Sequence, residues 1–243
     1  MTQNIYDDPD FHAAYLRLPR SVAGLEGAPE WPNLRAMLPP IPGARVLDIG
    51  CGLGWFSRWA RQAGAASVLG VDISARMLTG ARAATADAAI TYARADLEQP
   101  DLPTAAFDLA YSSLALHYIA ALDGLLAALA RSLVAGGMLV ASVEHPIWTA
   151  PPAPGWLTDA GGQAIWGLSG YMDEGPRTVD WLGARVHKQH RTIGGWLTAL
   201  AQAGFVLTRL EEWVPSPAQR AAHPEWVNAG QVPNFLLFAA RRG

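Results

Sequence analysis

Three carboxylates, three glycines and two histidines are the residues whose types and spacing could carry chemistry in this chain. Gly50, Gly52 and Gly54 stand at alternate positions after an apolar run that contains Asp48, and Cys51 sits between the first two. Glycine has no Cβ and tolerates positive φ, so such a turn lets backbone approach a ligand closely. Phe56, Trp59, Ala60 and Ala63 then recur at helical spacing, and the start of that helix would aim free N–H groups at the same place. Asp72 closes a second apolar run, 18 residues after Gly54, and Asp96 follows a third. His117 and His145 follow two more. An imidazole at a strand tip is a base near neutral pH. Packing or capping is the plain alternative for each histidine.

The elements that must position these residues alternate in type. Val46, Leu47 and Ile49 form a first strand. Ser67 to Ile73 is a second, followed by Ser74 as a helix N-cap with Met77, Leu78 and Ala81 on one face. Ile90 to Arg94 is a third strand and Phe107 to Ser112 a fourth. Asp123 is expected to cap a helix carrying Leu126, Leu129 and Leu133, with Gly136 and Gly137 opening a fifth strand, MLVASVE. After an aromatic, proline-broken stretch, Thr192 caps a helix with Trp196, Leu197 and Leu200 on one stripe. Phe205 to Val214 and Asn234 to Arg241 complete the set as an antiparallel pair, since no helix is evident between them. Such alternation predicts an α/β fold.

The ligand of the glycine turn is narrowed by what is missing. A dinucleotide fingerprint, G-x-G-x-x-G, needs a third glycine where Trp55 stands. What is present is Asp48-x-Gly50-x-Gly52-x-Gly54. This resembles motif I of the class I S-adenosylmethionine-dependent methyltransferases, small-molecule type, over most of Arg45 to Gly137 and again from Thr192. The resemblance implies a seven-stranded, mostly parallel, doubly wound sheet with the last strand antiparallel and helices on both faces. It implies S-adenosyl-L-methionine as cofactor. Asp72 would accept the ribose hydroxyl hydrogens, as acidic residues do in other nucleotide sites. Ile73 would lie against the adenine face. Asp96 would accept from the adenine amino group, and Leu97 would offer a backbone N–H. Asp48, with Gly50, Cys51, Gly52 and Gly54, would shape the turn near the methionine ammonium, and Ser112 would close the fourth strand beside the methionine amine. The position after that strand reads Ser112-Ser113-Leu114-Ala115, with no Asn-Pro-Pro-Tyr-like tetrapeptide, which disfavours methylation of DNA bases or protein glutamine.

A sulfonium methyl donor is itself the electrophile, so the protein needs in-line positioning, exclusion of water and, for an O–H or N–H acceptor, sometimes a base. The acceptor side would come from residues just after the fourth and fifth strands. These are His117 and Tyr118, and Glu144 and His145; His117 and His145 are the candidate catalytic residues.

Composition limits the rest. The chain has 243 residues, 51% hydrophobic, with a net charge of −3, so no broad basic field invites nucleic acid or an anionic membrane. No apolar run reaches the roughly 20 residues of a membrane span, and the first ten residues are unlike a signal peptide. The lone Cys51 excludes an internal disulfide and a multi-cysteine metal site; no metal is expected. A cytoplasmic protein, monomer or homodimer, acting on a small-molecule acceptor is the expectation. One domain should span residues 1–243, with a core at about 36–143 and 192–243. Cover segments at about 1–35 and 145–190 carry Tyr15, Trp31, Trp148, Trp156, Trp166, Tyr171 and Trp181. The second of these is expected as an irregular lid over the carboxyl ends of the strands. Two rivals remain open: a protein that holds S-adenosylmethionine without methylating anything, and a nicotinamide-dependent oxidoreductase.

Overall fold

The computed structural model describes residues 3–243. Before the sheet come three short α-helices, α1 (Pro9–Tyr15), α2 (Pro19–Val22) and α3 (Trp31–Arg35). Then follow β1 (Arg45–Ile49), α4 (Trp55–Gln62), β2 (Ser67–Asp72), α5 (Ala75–Ala83), β3 (Ile90–Arg94), β4 (Phe107–Ser113), α6 (Leu122–Ser132) and β5 (Leu133–Glu144). The next segment holds α7 (Pro146–Thr149) and four strands: β6 (Trp156–Thr158), β7 (Ala164–Trp166), β8 (Gly175–Trp181) and β9 (Ala184–His190). The chain ends with α8 (Ile193–Gln202), β10 (Phe205–Trp213), α9 (Pro217–Ala222) and β11 (Phe235–Arg242).

Seven strands form one sheet in the order β3-β2-β1-β4-β5-β11-β10. All pairings from β3 to β5 are parallel, and β11 runs antiparallel to both β5 and β10. The inner strands read as near-continuous apolar runs because helices cover both faces. On one face Leu47, Ile49, Leu139 and Phe238 pack against Leu125, Leu126 and Leu129 of α6 and Trp196 and Leu200 of α8. On the other, Val46, Leu109, Tyr111 and Leu237 meet Trp31 and Leu34 of α3 and Phe56 and Ala60 of α4. The chain direction of crossovers reverses between β1 and β4, which opens a crevice at the carboxyl ends of those strands.

Four local expectations change. Ser74 and Thr192 do cap α5 and α8, accepting from Met77 N at 3.1 Å and Gly195 N at 2.9 Å. Asp123 does not cap α6; it lies in the first turn, and Glu98 takes the N–H groups of Ala120 (2.6 Å) and Ala121 (2.8 Å) instead. β5 begins at Leu133 and runs through Gly136 and Gly137, so the glycines bend a strand rather than open one. The segment after β5 is not irregular: β6 pairs with β7, and β8 with β9, as two antiparallel hairpins. A short helix, α9, also stands in the β10–β11 connection, with Ser216 and Gln219 forming a capping box.

Candidate functional site

The glycine turn crosses the end of β2. Gly50 and Cys51 donate their N–H groups to Val71 O at 2.8 and 3.0 Å, and Gly52 N–H donates to Asp72 Oδ2 at 2.9 Å. Gly50, Gly52 and Gly54 have φ of 67, 52 and 72°, the left-handed region. Their surroundings differ. A Cβ on Gly50 would meet Ala115 Cβ at 2.4 Å, and one on Gly54 would meet the Tyr92 hydroxyl at 2.2 Å; one on Gly52 meets nothing within 4 Å. Gly52 lines a cavity of about 520 Å³, so its bare backbone faces open volume.

That cavity collects most of the anticipated residues. Asp72, Ile73, Asp96 and Leu97 border it together with Gly50 and Gly52. Asp72 is tied at both oxygens, with Oδ1 accepting from Ser74 N at 2.8 Å, and burial raises its pKa. Asp96 Oδ1 accepts from Glu98 N at 3.0 Å. Asp48 lies one layer behind, facing a smaller chamber of about 100 Å³ that Gly50, Cys51 and Gly52 also border. Its Oδ2 accepts from Ser57 Oγ at 2.6 Å, and burial pushes its pKa up to about 7. Cys51 is buried there and its thiol is pushed up by that burial. Gly54 borders neither cavity and serves as the N-cap of α4.

Ser112 points elsewhere. It is fully buried, and its Oγ donates to Ile49 O at 3.0 Å. Side chains alternate along a strand, so its neighbour Ser113 borders the cavity, with Leu114 and Ala115 following. Leu114 holds φ of 54° at this strand end, uncommon for a non-glycine residue.

The two histidines part company. His117 borders the cavity and is buried; its Nδ1 accepts from Glu144 N at 3.4 Å, which leaves the ring proton on Nε2. Nε2 is buried without a partner. Burial lowers the ring pKa to about 4, so it is neutral at physiological pH. His145 is outside the cavity lining. Its Nδ1 accepts from Ile147 N at 3.2 Å, capping α7, and its Nε2 lies 3.0 Å from Glu212 Oε1. Glu144 borders the cavity and binds Lys188 at 2.5 Å; Lys188 Nζ sits 5.8 Å from the Trp181 ring centre.

The roof comes from both cover segments and from Tyr118 after β4. Tyr6, Tyr15, Tyr118 and Trp181 border the cavity. Tyr15 meets Tyr6 edge-on at 5.0 Å and Trp181 at 6.2 Å. Asp7 fastens the first segment to α5, accepting from Ser74 Oγ at 2.6 Å and Arg76 N at 3.0 Å. Burial works against its ionisation, but hydrogen bonds from Ser74, Arg76, Asn4 and Ala75 hold its pKa down at about 2. Gln3 joins the two segments: its Nε2 donates to Arg185 O at 2.8 Å and its Oε1 accepts from His187 N at 2.9 Å.

Sequence reasoning missed Arg20 and Glu30. Glu30 is fully buried, and Arg20 Nη2 donates to its two oxygens at 3.0 and 3.3 Å. Arg20 borders both chambers. A buried acid directly before Trp31 is the one local signal for this pair, because buried carboxylates are almost always partnered. Among the described residues, no group of three or more His, Cys, Asp or Glu side chains is placed to hold a metal ion, and no helix is long and apolar enough to cross a membrane.

Comparison with known proteins agrees with this geometry. A methyltransferase-domain family matches residues 47–141, the span from β1 into β5. A crystal structure of an S-adenosylmethionine-dependent methyltransferase from Mesorhizobium loti is 52% identical, covers 90% of this chain and all of its own, and superposes with a TM-score of 0.87. An uncharacterized protein of Haemophilus influenzae is 30% identical over 98% of this chain and 97% of its own length. The malonyl-[acyl-carrier protein] O-methyltransferase of Enterobacter lignolyticus is 43% identical, over 44% of this chain and only 41% of its own length. The chain belongs to the S-adenosylmethionine-dependent methyltransferases of the class I, Rossmann-like fold.

Proposed function

We propose that this enzyme methylates a small-molecule acceptor held between the first cover segment, the β8–β9 hairpin and the carboxyl ends of β4 and β5. The observation that carries the reading is one cavity whose lining runs from Gly52, Asp72 and Asp96 to Tyr118, Glu144 and Trp181. It is roofed by aromatic side chains rather than laid open as a groove, which suits a small acceptor better than a polymer. The cofactor end fits the donor set of S-adenosylmethionine. Gly52 gives bare backbone with room in front of it, Asp72 and Asp96 are hydrogen-bond acceptors for ribose and adenine, and Ile73 and Leu97 give the ring apolar contact. Arg20, held by Glu30 through one nitrogen, is the guanidinium available for the methionine carboxylate. Asp48 borders the smaller chamber behind the turn and places its buried carboxyl on the side proposed for the methionine ammonium. When bound, S-adenosylmethionine supplies a methyl group on a positively charged sulfur.

The acceptor end then needs little beyond placement and dryness. Tyr6, Tyr15, Tyr118 and Trp181 close it against water, and their rings suit a cationic sulfur nearby. His117 is neutral and holds the Glu144 backbone, so it acts as a positioning residue. Glu144, paired with Lys188, is the titratable group placed to receive a proton from an O–H or N–H acceptor. His145, engaged at both nitrogens away from the cavity, is left without a catalytic part in this reading. Incubation of the enzyme with methyl-labelled cofactor and a fractionated cell extract tests the proposal. Label is expected in the small-molecule fraction. Label found only in protein or nucleic acid would refute it.

A further inference from the structure

A further chamber, distinct from the two already described, lies beside the main cavity. It measures about 270 Å³ and is walled by Trp148, Trp156, Trp213, Trp226 and Phe235, with no ionisable side chain in its lining. Four of the chain's ten tryptophans therefore gather here, from α7, β6, β10 and the β10–β11 connection. Two have their polar edges bound within the walls: Trp148 Nε1 donates to Pro233 O at 2.7 Å, and Trp213 Nε1 to Asn33 Oδ1 at 3.3 Å. Trp166 braces the rear, 4.0 Å from the Trp148 ring and 5.4 Å from Trp156. Such a lining favours flat or aliphatic groups and penalises a charge, which would lose its water and meet no opposite charge.

The chamber adjoins the reaction site at a single side chain. Phe235 borders both volumes. It stands opposite Glu144 on β5 and opposite Trp213 on β10, so these three residues make one row across the sheet end. Glu144 belongs to the main cavity and Trp213 to the chamber. We infer that the methyl acceptor is elongated: its reactive end lies beside Glu144, and an uncharged aromatic ring or short hydrocarbon chain at its other end passes Phe235 into the tryptophan chamber. This rests on the small-molecule reading above and names the acceptor's chemical class.

Fluorine NMR of the full chain labelled with fluorotryptophan tests it, with resonances assigned by Trp→Phe variants and the enzyme saturated with S-adenosylhomocysteine. Benzyl alcohol should shift the Trp156, Trp213 and Trp226 signals and leave Trp181 in place. Phenylhexanol should shift these and Trp181 together. The double variant Trp156→Leu, Trp226→Leu should weaken phenylhexanol at least about tenfold while S-adenosylhomocysteine binds as before, which also reports that the variant is folded. No shift in the chamber, or chamber shifts from phenylhexanol without Trp181, would overturn the inference. Failure of S-adenosylhomocysteine to bind the unaltered enzyme would instead strike the cofactor assignment, so the two failures are distinct.

Discussion

Asp48→Asn is the substitution whose effect follows most directly from the structure. Asp48 is 2% exposed, and burial, with the Asp72 charge as a further contribution, lifts its pKa from 3.8 to about 7. The native state therefore binds this proton more tightly than the unfolded chain does. The stabilisation is full below the unfolded value and is lost as pH rises through about 7. At about 1.4 kcal/mol for each pH unit, the whole rise is worth about 4 kcal/mol, of which about 3 falls between about pH 5 and pH 8. Asparagine keeps an oxygen to accept from Ser57 Oγ and cannot ionise. Asp72 is present in both proteins, so the comparison reads the ionisation of Asp48 together with its repulsion by Asp72. Urea unfolding of the two proteins at a series of pH values is the assay. The Asp48→Asn variant should gain about 3 kcal/mol on wild type across that range. Parallel pH dependences would refute the reasoning and place the Asp48 carboxyl in contact with water.

Four further outcomes are expected. Asp72→Ala removes the acceptor for Gly52 N–H and Ser74 N–H and should weaken S-adenosylhomocysteine by about 1–3 kcal/mol in calorimetry; unchanged affinity would remove Asp72 from the cofactor site. Gly52→Val places a branched side chain at φ of 52° in front of the turn, so cofactor affinity should collapse while the circular dichroism spectrum stays native. With the His117 pKa near 4, turnover should show no inflection from this residue between about pH 6 and pH 9; a wild-type inflection near pH 6.5 that vanishes in His117→Gln would contradict its neutral, positioning role. Asp7→Ala frees the cap of α5, so hydrogen exchange should quicken over residues 3–15 and hardly change in β1 and β4; uniform exchange would show that the segment is held by its aromatic contacts instead.

Much of this molecule was legible because its signals are local. The apolar runs of β1, β2 and β4 stand between turn residues, and Ser74 and Thr192 sit where helix caps belong. The glycine turn with Asp72 and Asp96 was readable for the same reason, since each lies within a few residues of the strand that carries it. The strand count and the antiparallel last strand came through the family resemblance and not from any pairing signal in the chain. What escaped depends on contacts distant in sequence or on which way a side chain faces. The carboxylate that meets the start of α6 is Glu98, more than twenty residues away, and not Asp123. Ser112 and Ser113 are the same residue type one step apart, yet the strand alternation sends one to Ile49 and the other to the cavity. The β8–β9 hairpin turns on Leu182 and Gly183, both with positive φ, where Asn-Gly would have been the recognisable signal. His145 stands directly before Pro146, which favours an extended backbone, and that geometry makes it the cap of α7.

The side chain of Gln3 donates to and accepts from the backbone of β9 as a neighbouring strand's peptide group would. One amide thereby extends the β8–β9 hairpin by a fragment of a third strand and welds two parts of the roof that lie 184 residues apart in sequence. Neither part can lift alone without breaking both bonds. Separating these two parts of the roof therefore costs both bonds together, on top of the ring contact between Tyr15 and Trp181.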